Sequence, residues 1–140
     1  MGHFNRKVIL VSGGFDPMHS GHVALLREAD AYGKVIVALN SDAWLTRKKG
    51  KPFMKFEERA TILLATQFVY DVVAVEDKDG TVVKALRSVQ PTFFANGGDR
   101  TAENTPELEY CKQVGIIPLF GIGGLKTQSS SELLNAFHKG

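Results

Sequence analysis

Five short apolar runs punctuate this chain: Val8–Val11, Val35–Leu39, Val72–Val75, Thr92–Ala95 and Ile116–Phe120. Most are continuous rather than alternating. A strand that is apolar at successive positions buries both of its faces, the pattern of a parallel sheet covered on each side. Between the runs lie segments with helical spacing. Val23, Leu26 and Ala29 with Tyr32 form one stripe, and Gly33 follows as a stop signal. Ala60, Leu63 and Leu64 mark a second within Phe56–Thr66, and Val82, Leu86 and Val89 a third within Thr81–Val89, closed by Pro91. Pro106–Gln113 and Ser129–Phe137 supply two more. Strand alternating with helix in this way predicts an open α/β sheet, doubly wound, mainly parallel and five-stranded. No repeat, low-complexity tract or linker divides it, so residues 1–140 read as a single domain.

Composition narrows the function classes. Apolar residues make up 44% and charged residues 23%, as in an ordinary globular protein rather than a disordered one. A formal charge of +2 is too small to argue for a nucleic-acid partner. Cys111 is the only cysteine, so no internal disulfide can form, and a packed core thiol explains it better than a nucleophile. The first apolar run is too short for a signal-peptide core or a membrane span. The expected location is cytoplasmic, with no membrane partner.

One region breaks the strand–helix rhythm. Ser41–Lys55 is polar, carries Arg47, Lys48, Lys49, Lys51 and Lys55, and reads as a long loop, which in compact folds is often functional. In doubly wound sheets, ligands sit beyond the carboxyl ends of the strands where strand order reverses. The segment after the first run, Ser12-Gly13-Gly14-Phe15-Asp16-Pro17-Met18-His19-Ser20-Gly21-His22, carries the strongest signal there. Gly13 and Gly14 let the backbone approach a bulky ligand. A helix follows, and its first amides favour an anion. His19 and His22, three apart at the helix start, share one face, and Gly21 leaves the surface between them flat. Two imidazoles at such a place can donate hydrogen bonds to phosphate oxygens as charge builds in a transition state. A glycine-rich turn followed by two idle histidines is the plainer alternative.

The string Gly14-Phe15-Asp16-Pro17-Met18-His19-Ser20-Gly21-His22 resembles the signature of the nucleotidylyltransferase superfamily, whose core is a His-x-Gly-His motif behind Gly-x-Phe-Asp. That resemblance implies a Rossmann-like sheet and in-line displacement at the α-phosphate of a nucleoside triphosphate, without a covalent enzyme intermediate. It implies that His19 and His22 bind the triphosphate and stabilise the transition state, with Gly13, Gly14, Phe15, Asp16 and Gly21 around the nucleotide. Asn40-Ser41-Asp42, the lysine cluster and Glu57-Glu58-Arg59 resemble the equivalent stretch of glycerol-3-phosphate cytidylyltransferases and heptose-phosphate adenylyltransferases. On that basis Lys48, Lys51 and Arg59 are expected phosphate contacts, with Lys49 a weaker one, and Asp42 is expected near the acceptor. A solvated charged loop is the alternative for the lysine run.

After the fourth run, Gly97-Gly98-Asp99 resembles the heptose-phosphate enzymes and is expected to meet the nucleotide. Ser129 and Glu132 have capping-box spacing. The extra hydroxyls of Ser130 and Ser131 match the family's hydroxyl-rich carboxyl-terminal motif, which touches phosphate. The arginine that glycerol-type enzymes carry ahead of this motif is replaced here by Gly121, Gly123 and Gly124, with Lys126 close by, which favours adenylyl over cytidylyl transfer. The same glycine segment lacks dinucleotide-loop spacing and reads as a hinge.

The implied partners are a nucleoside triphosphate and a phosphorylated small-molecule acceptor, with no nucleic acid. The implied cofactor is magnesium held mainly by nucleotide phosphates, since no cluster of protein metal ligands is visible, although Asp16 is a possible reach. Phe68–Val75 resembles a stretch that pairs subunits in relatives, so a homodimer is expected. Nicotinamide mononucleotide and phosphopantetheine adenylyltransferases share the histidine motif but not the Asn40-Ser41-Asp42 string or the lysines. A non-catalytic nucleotide-binding module is the alternative from outside the enzymes.

Overall fold

The computed structural model describes residues 6–97, 105–124 and Leu134. Five strands, β1 (Val8–Gly13), β2 (Lys34–Leu39), β3 (Val69–Ala74), β4 (Phe93–Ala95) and β5 (Ile117–Leu119), form one sheet in the order β3-β2-β1-β4-β5. Every neighbouring pair is parallel. All five expected strands are therefore present, within a few residues of their sequence bounds.

Both faces of the sheet are covered. Ile9 and Val11 face one side with Val35, Val37 and Leu39, and there they meet Leu26 and Ala29 of α1 (Ser20–Asp30) and Leu63 of α3 (Phe56–Leu64). Leu10, Ala38 and Phe94 face the other side. They meet Ala85 and Leu86 of α4 (Val83–Val89) and Cys111 of α5 (Leu108–Val114). Period-two alternation along strands that are apolar throughout thus feeds two cores at once. The edge strands β3 and β5 are more exposed, and they do not share the continuous burial of β1 and β2.

Three sequence expectations need correction. Ser41–Lys55 is not one loop, because α2 (Asp42–Lys49) lies within it. Its apolar stripe is a single buried residue, Leu45, so periodicity gave no sign of it. Its end signals were legible: Ser41 caps the first turn by accepting from the Trp44 amide, Asp42 follows, Arg47, Lys48 and Lys49 fill the last turn, and Gly50 ends it. The α3 stripe is Ala60 and Leu63, while Leu64 faces out. The segment Gly121–Gly124 is no hinge: Ile122 is buried, and the Gly123 amide donates to the Glu28 carboxylate of α1 at 3.0 Å.

Gly33 does more than stop α1. The Lys7 carbonyl, which accepts from the Lys34 amide at 2.7 Å, occupies the space where a β-carbon of residue 33 would stand. The obstacle is backbone at the start of two central strands and cannot rotate away. Gly33→Ala should therefore destabilise the fold by about 1–3 kcal/mol, as overpacking does. Urea unfolding should show a lower midpoint at unchanged slope.

Candidate active site

Strand order reverses between β1 and β4, so the crevice of a doubly wound sheet opens beyond their carboxyl ends. The loop leaving β1 runs through Gly14, Phe15 and Asp16 to His19, which is not inside α1 but is its N-cap. His19 Nδ1 accepts from the Gly21 amide at 3.1 Å, and His22 Nδ1 accepts from the His19 amide at 3.1 Å. This is a reciprocal capping box built from two imidazoles where the common version uses a hydroxyl and a carboxylate. The rings lie 3.9 Å apart between centroids, and the buried Phe15 ring sits 4.5 Å from that of His22.

The chemistry follows from those bonds. An Nδ1 that accepts a backbone N–H carries no proton, so the neutral ring holds its proton on Nε2. Both histidines are thereby fixed as Nε2–H donors. A β-carbon at Gly21 would meet His19 Cε1 at 2.9 Å, so the space expected for a ligand is taken by the His19 ring. The Gly21 amide, expected to face an anion, is committed to the cap.

Arg59 is completely buried, and its guanidinium reaches four residues. Nε donates to the Met54 carbonyl at 2.9 Å and Nη1 to the Gly14 and Asn40 carbonyls at 3.1 and 2.8 Å, while Nη2 pairs with Asp42 Oδ1 at 2.6 Å. The expected phosphate contact is an internal crosslink between the loops after β1 and β2 and the start of α3. Asp42, expected near the acceptor, is its half-exposed ion-pair partner.

Asp16 has a comparable part. It is 2% exposed, with Oδ1 and Oδ2 accepting the Met54 and Phe53 amides at 2.7 and 2.6 Å. Lys49 Nζ stands 3.1 Å from Oδ2 and donates to the Asp16 carbonyl at 2.6 Å. Of the lysines it is therefore Lys49, the weaker expectation, that touches the first loop. Lys48 lies over the Trp44 indole, 4.7 Å from its centre, and Lys51 is exposed. Gly13 closes β1, its carbonyl accepting from the Asn40 amide at 3.0 Å. Gly97 follows β4 directly across the crevice. Gly98, Asp99, Ser129, Ser130 and Ser131 lie outside the described residues.

Sequence reading missed Asp77. It is buried beyond β3, and its carboxylate accepts from Asn40 Nδ2 at 3.0 Å, the Ser41 amide at 2.9 Å and Ser41 Oγ at 2.7 Å. Arg47 donates to the Asp77 carbonyl at 3.0 Å. Nothing in the string Glu76-Asp77-Lys78-Asp79 separates this acid from its exposed neighbours. Cys111 is fully buried, and burial first, with the Glu107 carboxylate second, pushes its thiol upward, as suits a packed core residue. Among the described residues no three His, Cys, Asp or Glu side chains converge on a metal-sized point, and no helix is long and apolar enough to cross a membrane.

Comparison with known proteins agrees with the fold. The family model described as cytidylyltransferase-like matches residues 10–119. The chain is 36% identical over 115 residues to the bifunctional protein HldE of Wolinella succinogenes, covering 80% of this chain and 24% of that protein. It is 40% identical over 101 residues to HldE of Geobacter metallireducens, covering 70% of this chain and 20% of that protein. The chain thus spans about a quarter of the length of the curated relatives it matches. The crystal structure of the lipopolysaccharide core biosynthesis protein from Thermoplasma volcanium superposes with a TM-score of 0.70. That match has 19% identity over 89% of this chain and 99% of the other, a likeness of fold.

Asp77 gives the site a pH dependence. Burial pushes its carboxyl upward, but the hydrogen bonds from Asn40 and Ser41 outweigh that and hold it below its ordinary 3.8. A group depressed in the folded state contributes stability above its unfolded value and loses it as pH falls through the folded value. Acid unfolding should therefore draw on Asp77 only below about pH 4. Asp77→Asn should cost about 1–3 kcal/mol at pH 7, since its amide cannot accept from all three donors. The gap between variant and parent in urea midpoint should narrow as pH drops below 4.

Proposed function

The chain belongs to the cytidylyltransferase-like family, and on that footing we propose that it transfers a nucleoside monophosphate from a nucleoside triphosphate to a sugar- or polyol-phosphate, releasing pyrophosphate. A phosphate oxygen of the acceptor attacks the α-phosphorus while the bond from that phosphorus to the bridging oxygen breaks, and the electron pair leaves with pyrophosphate. Such a displacement is mostly positioning and charge stabilisation. The observation that carries the reading is the histidine pair at the β1–β4 switch point, locked by its own backbone bonds as two Nε2–H donors. Donors fixed before the reaction begins need no reorganisation as charge develops on the phosphoryl oxygens.

The other residues divide into contacts and positioners. Arg59 and Asp16 act as positioning residues, holding the Gly14 loop, Asn40 and the 53–54 backbone in register. Lys48 and Lys51 remain the phosphate contacts of this reading. Magnesium fits as an ion carried on the nucleotide phosphates, because the Asp16 carboxylate is already taken by two amides and Lys49. When bound there it would neutralise phosphate charge. AMP is the favoured group, from the likeness of Gly97-Gly98-Asp99 to the heptose-phosphate adenylyltransferases. CMP transfer to an alcohol phosphate is the second reading, on the strength of the family description. We place the reaction in the cytoplasm. We place a homodimer contact along β3, an edge strand of the sheet among the described residues, where Tyr70 is 63% exposed.

Pyrophosphate release with ATP and with CTP, each against a panel of sugar and polyol phosphates, tests the proposal. One pair should turn over, with His19→Ala and His22→Ala each lowering kcat by about a hundredfold or more. Silence across the panel counts against an enzyme and for a nucleotide-binding module, whereas turnover indifferent to both substitutions takes the catalytic role away from His19 and His22.

A further inference from the structure

Beyond the carboxyl ends of β2 and β3, one strand away from the histidine crevice, lies an open cleft of about 410 Å³. It is lined by Trp44, Arg47 and Lys48 of α2 and by Lys78, Asp79 and Gly80 of the turn after β3. Its walls are tied together. Asp77 binds Asn40 and Ser41 at the head of α2, and Arg47 reaches back to the Asp77 carbonyl.

Arg47 and Lys78 bring two positive charges to this cleft. Asp79 turns its Oδ1 to the Thr81 amide and hydroxyl at 2.9 and 3.0 Å. Neither Arg47 nor Lys78 belongs to an ion pair among the described residues. Arg47 and Lys78 outnumber Asp79, the one acid of the lining, so this wall of the cleft is positive. A phosphate monoester, close to a dianion at neutral pH, is the complement.

The cleft is also in the right place. A β-carbon at Gly14 would meet Leu45 Cδ2 at 2.9 Å and Trp44 Cζ3 at 3.9 Å, so the indole is a shared wall between the cleft and the Gly14 loop. In an in-line displacement, the attacking group approaches the phosphorus on the side opposite the departing group. The acceptor therefore needs a site beside the nucleotide crevice, not within it. We infer that this cleft docks the phosphate-bearing acceptor, with Arg47 and Lys78 as its recognition residues. The inference rests on the nucleotidyl-transfer reading above and names where the second substrate binds.

Trp44 is the only tryptophan in the chain, so its emission reports on the cleft directly. The full chain, saturated with a non-hydrolysable ATP or CTP analogue, is titrated with glycerol 3-phosphate and with mannose 1-phosphate while Trp44 fluorescence is followed. At least one probe should give a saturable change that unphosphorylated glycerol and mannose do not. Lys78→Gln and Arg47→Gln should each weaken it about tenfold or more, as expected for a lost charge-assisted hydrogen bond. Affinity for the nucleotide analogue, by calorimetry, should stay within about twofold, because that ligand sits elsewhere. Lys78 is exposed and belongs to no ion pair among the described residues, so its variant should keep the parental melting temperature. No saturable signal in the parent, or unchanged probe affinity in both variants, overturns the inference. So does an equal loss of nucleotide affinity, which would give the cleft to the triphosphate instead. If the analogue itself fails to bind and no pyrophosphate is released, the nucleotidyl-transfer reading fails and the acceptor assignment goes with it. Intact nucleotide binding with an unmoved Trp44 signal removes the cleft alone.

Discussion

The loops at this end of the sheet depend on one buried cation. Arg59 carries a full charge into a space with no solvent, a costly arrangement unless its donors are met. They are met by backbone carbonyls from three separate segments and by Asp42. The dependence runs both ways. The carbonyls of Gly14 and Asn40 lie past the ends of β1 and β2, beyond the strand amides that would donate to them, and Arg59 supplies the donor. Without it, the loop that delivers His19 and the loop that begins α2 would each have to find water. Asp16 complements this from the opposite sign, an enclosed carboxylate that takes two adjacent amides and a lysine. A cation that gathers carbonyls and an anion that gathers amides together tie these loops to one another.

The histidine pair profits from that rigidity. A capping box with hydroxyl and carboxylate groups stabilises a helix start and does little else. Building it from imidazoles makes the same two hydrogen bonds decide where each ring keeps its proton. Structure and chemistry are then one device: the bonds that begin α1 also orient the donors. Gly21 completes it, since only a residue without a side chain lets the His19 ring fold back over its own helix.

Much of this was legible in the sequence. Apolar runs gave all five strands, and the parallel pairing was legible from the central strands β1 and β2, where burial on both faces leaves a pattern that solvent-facing strands do not. Gly13, Gly14, His19 and His22 were legible as a group, since glycines and imidazoles gathered at a strand-to-helix turn have few structural uses. Helix α2 was hidden, because a helix that buries only Leu45 shows no stripe, although its caps and terminal charges were written plainly. The inward turn of Arg59 was also hidden. A cation on a polar helix start looks the same whether it faces a ligand or its own backbone, and only the positions of Gly14, Asn40 and Met54 in space decide. Asp77 belongs to the same class: its burial comes from the packing of β2 and β3 and not from its neighbours in the chain.

The cations of α2 illustrate how a local rule can prepare a distant function. Arg47, Lys48 and Lys49 stand in the last turn, where the helix dipole is negative and each gains some tenths of a kcal/mol or more. That gain holds three like charges together with no ligand present, a grouping that a flexible loop would relax by spreading them apart. The helix then sorts them by angle. Lys49 faces the first loop and is absorbed by Asp16, while Arg47 and Lys48 face the turn after β3, where Lys78 joins them. One helical turn therefore divides its charge between fixing the fold and leaving a positive cleft.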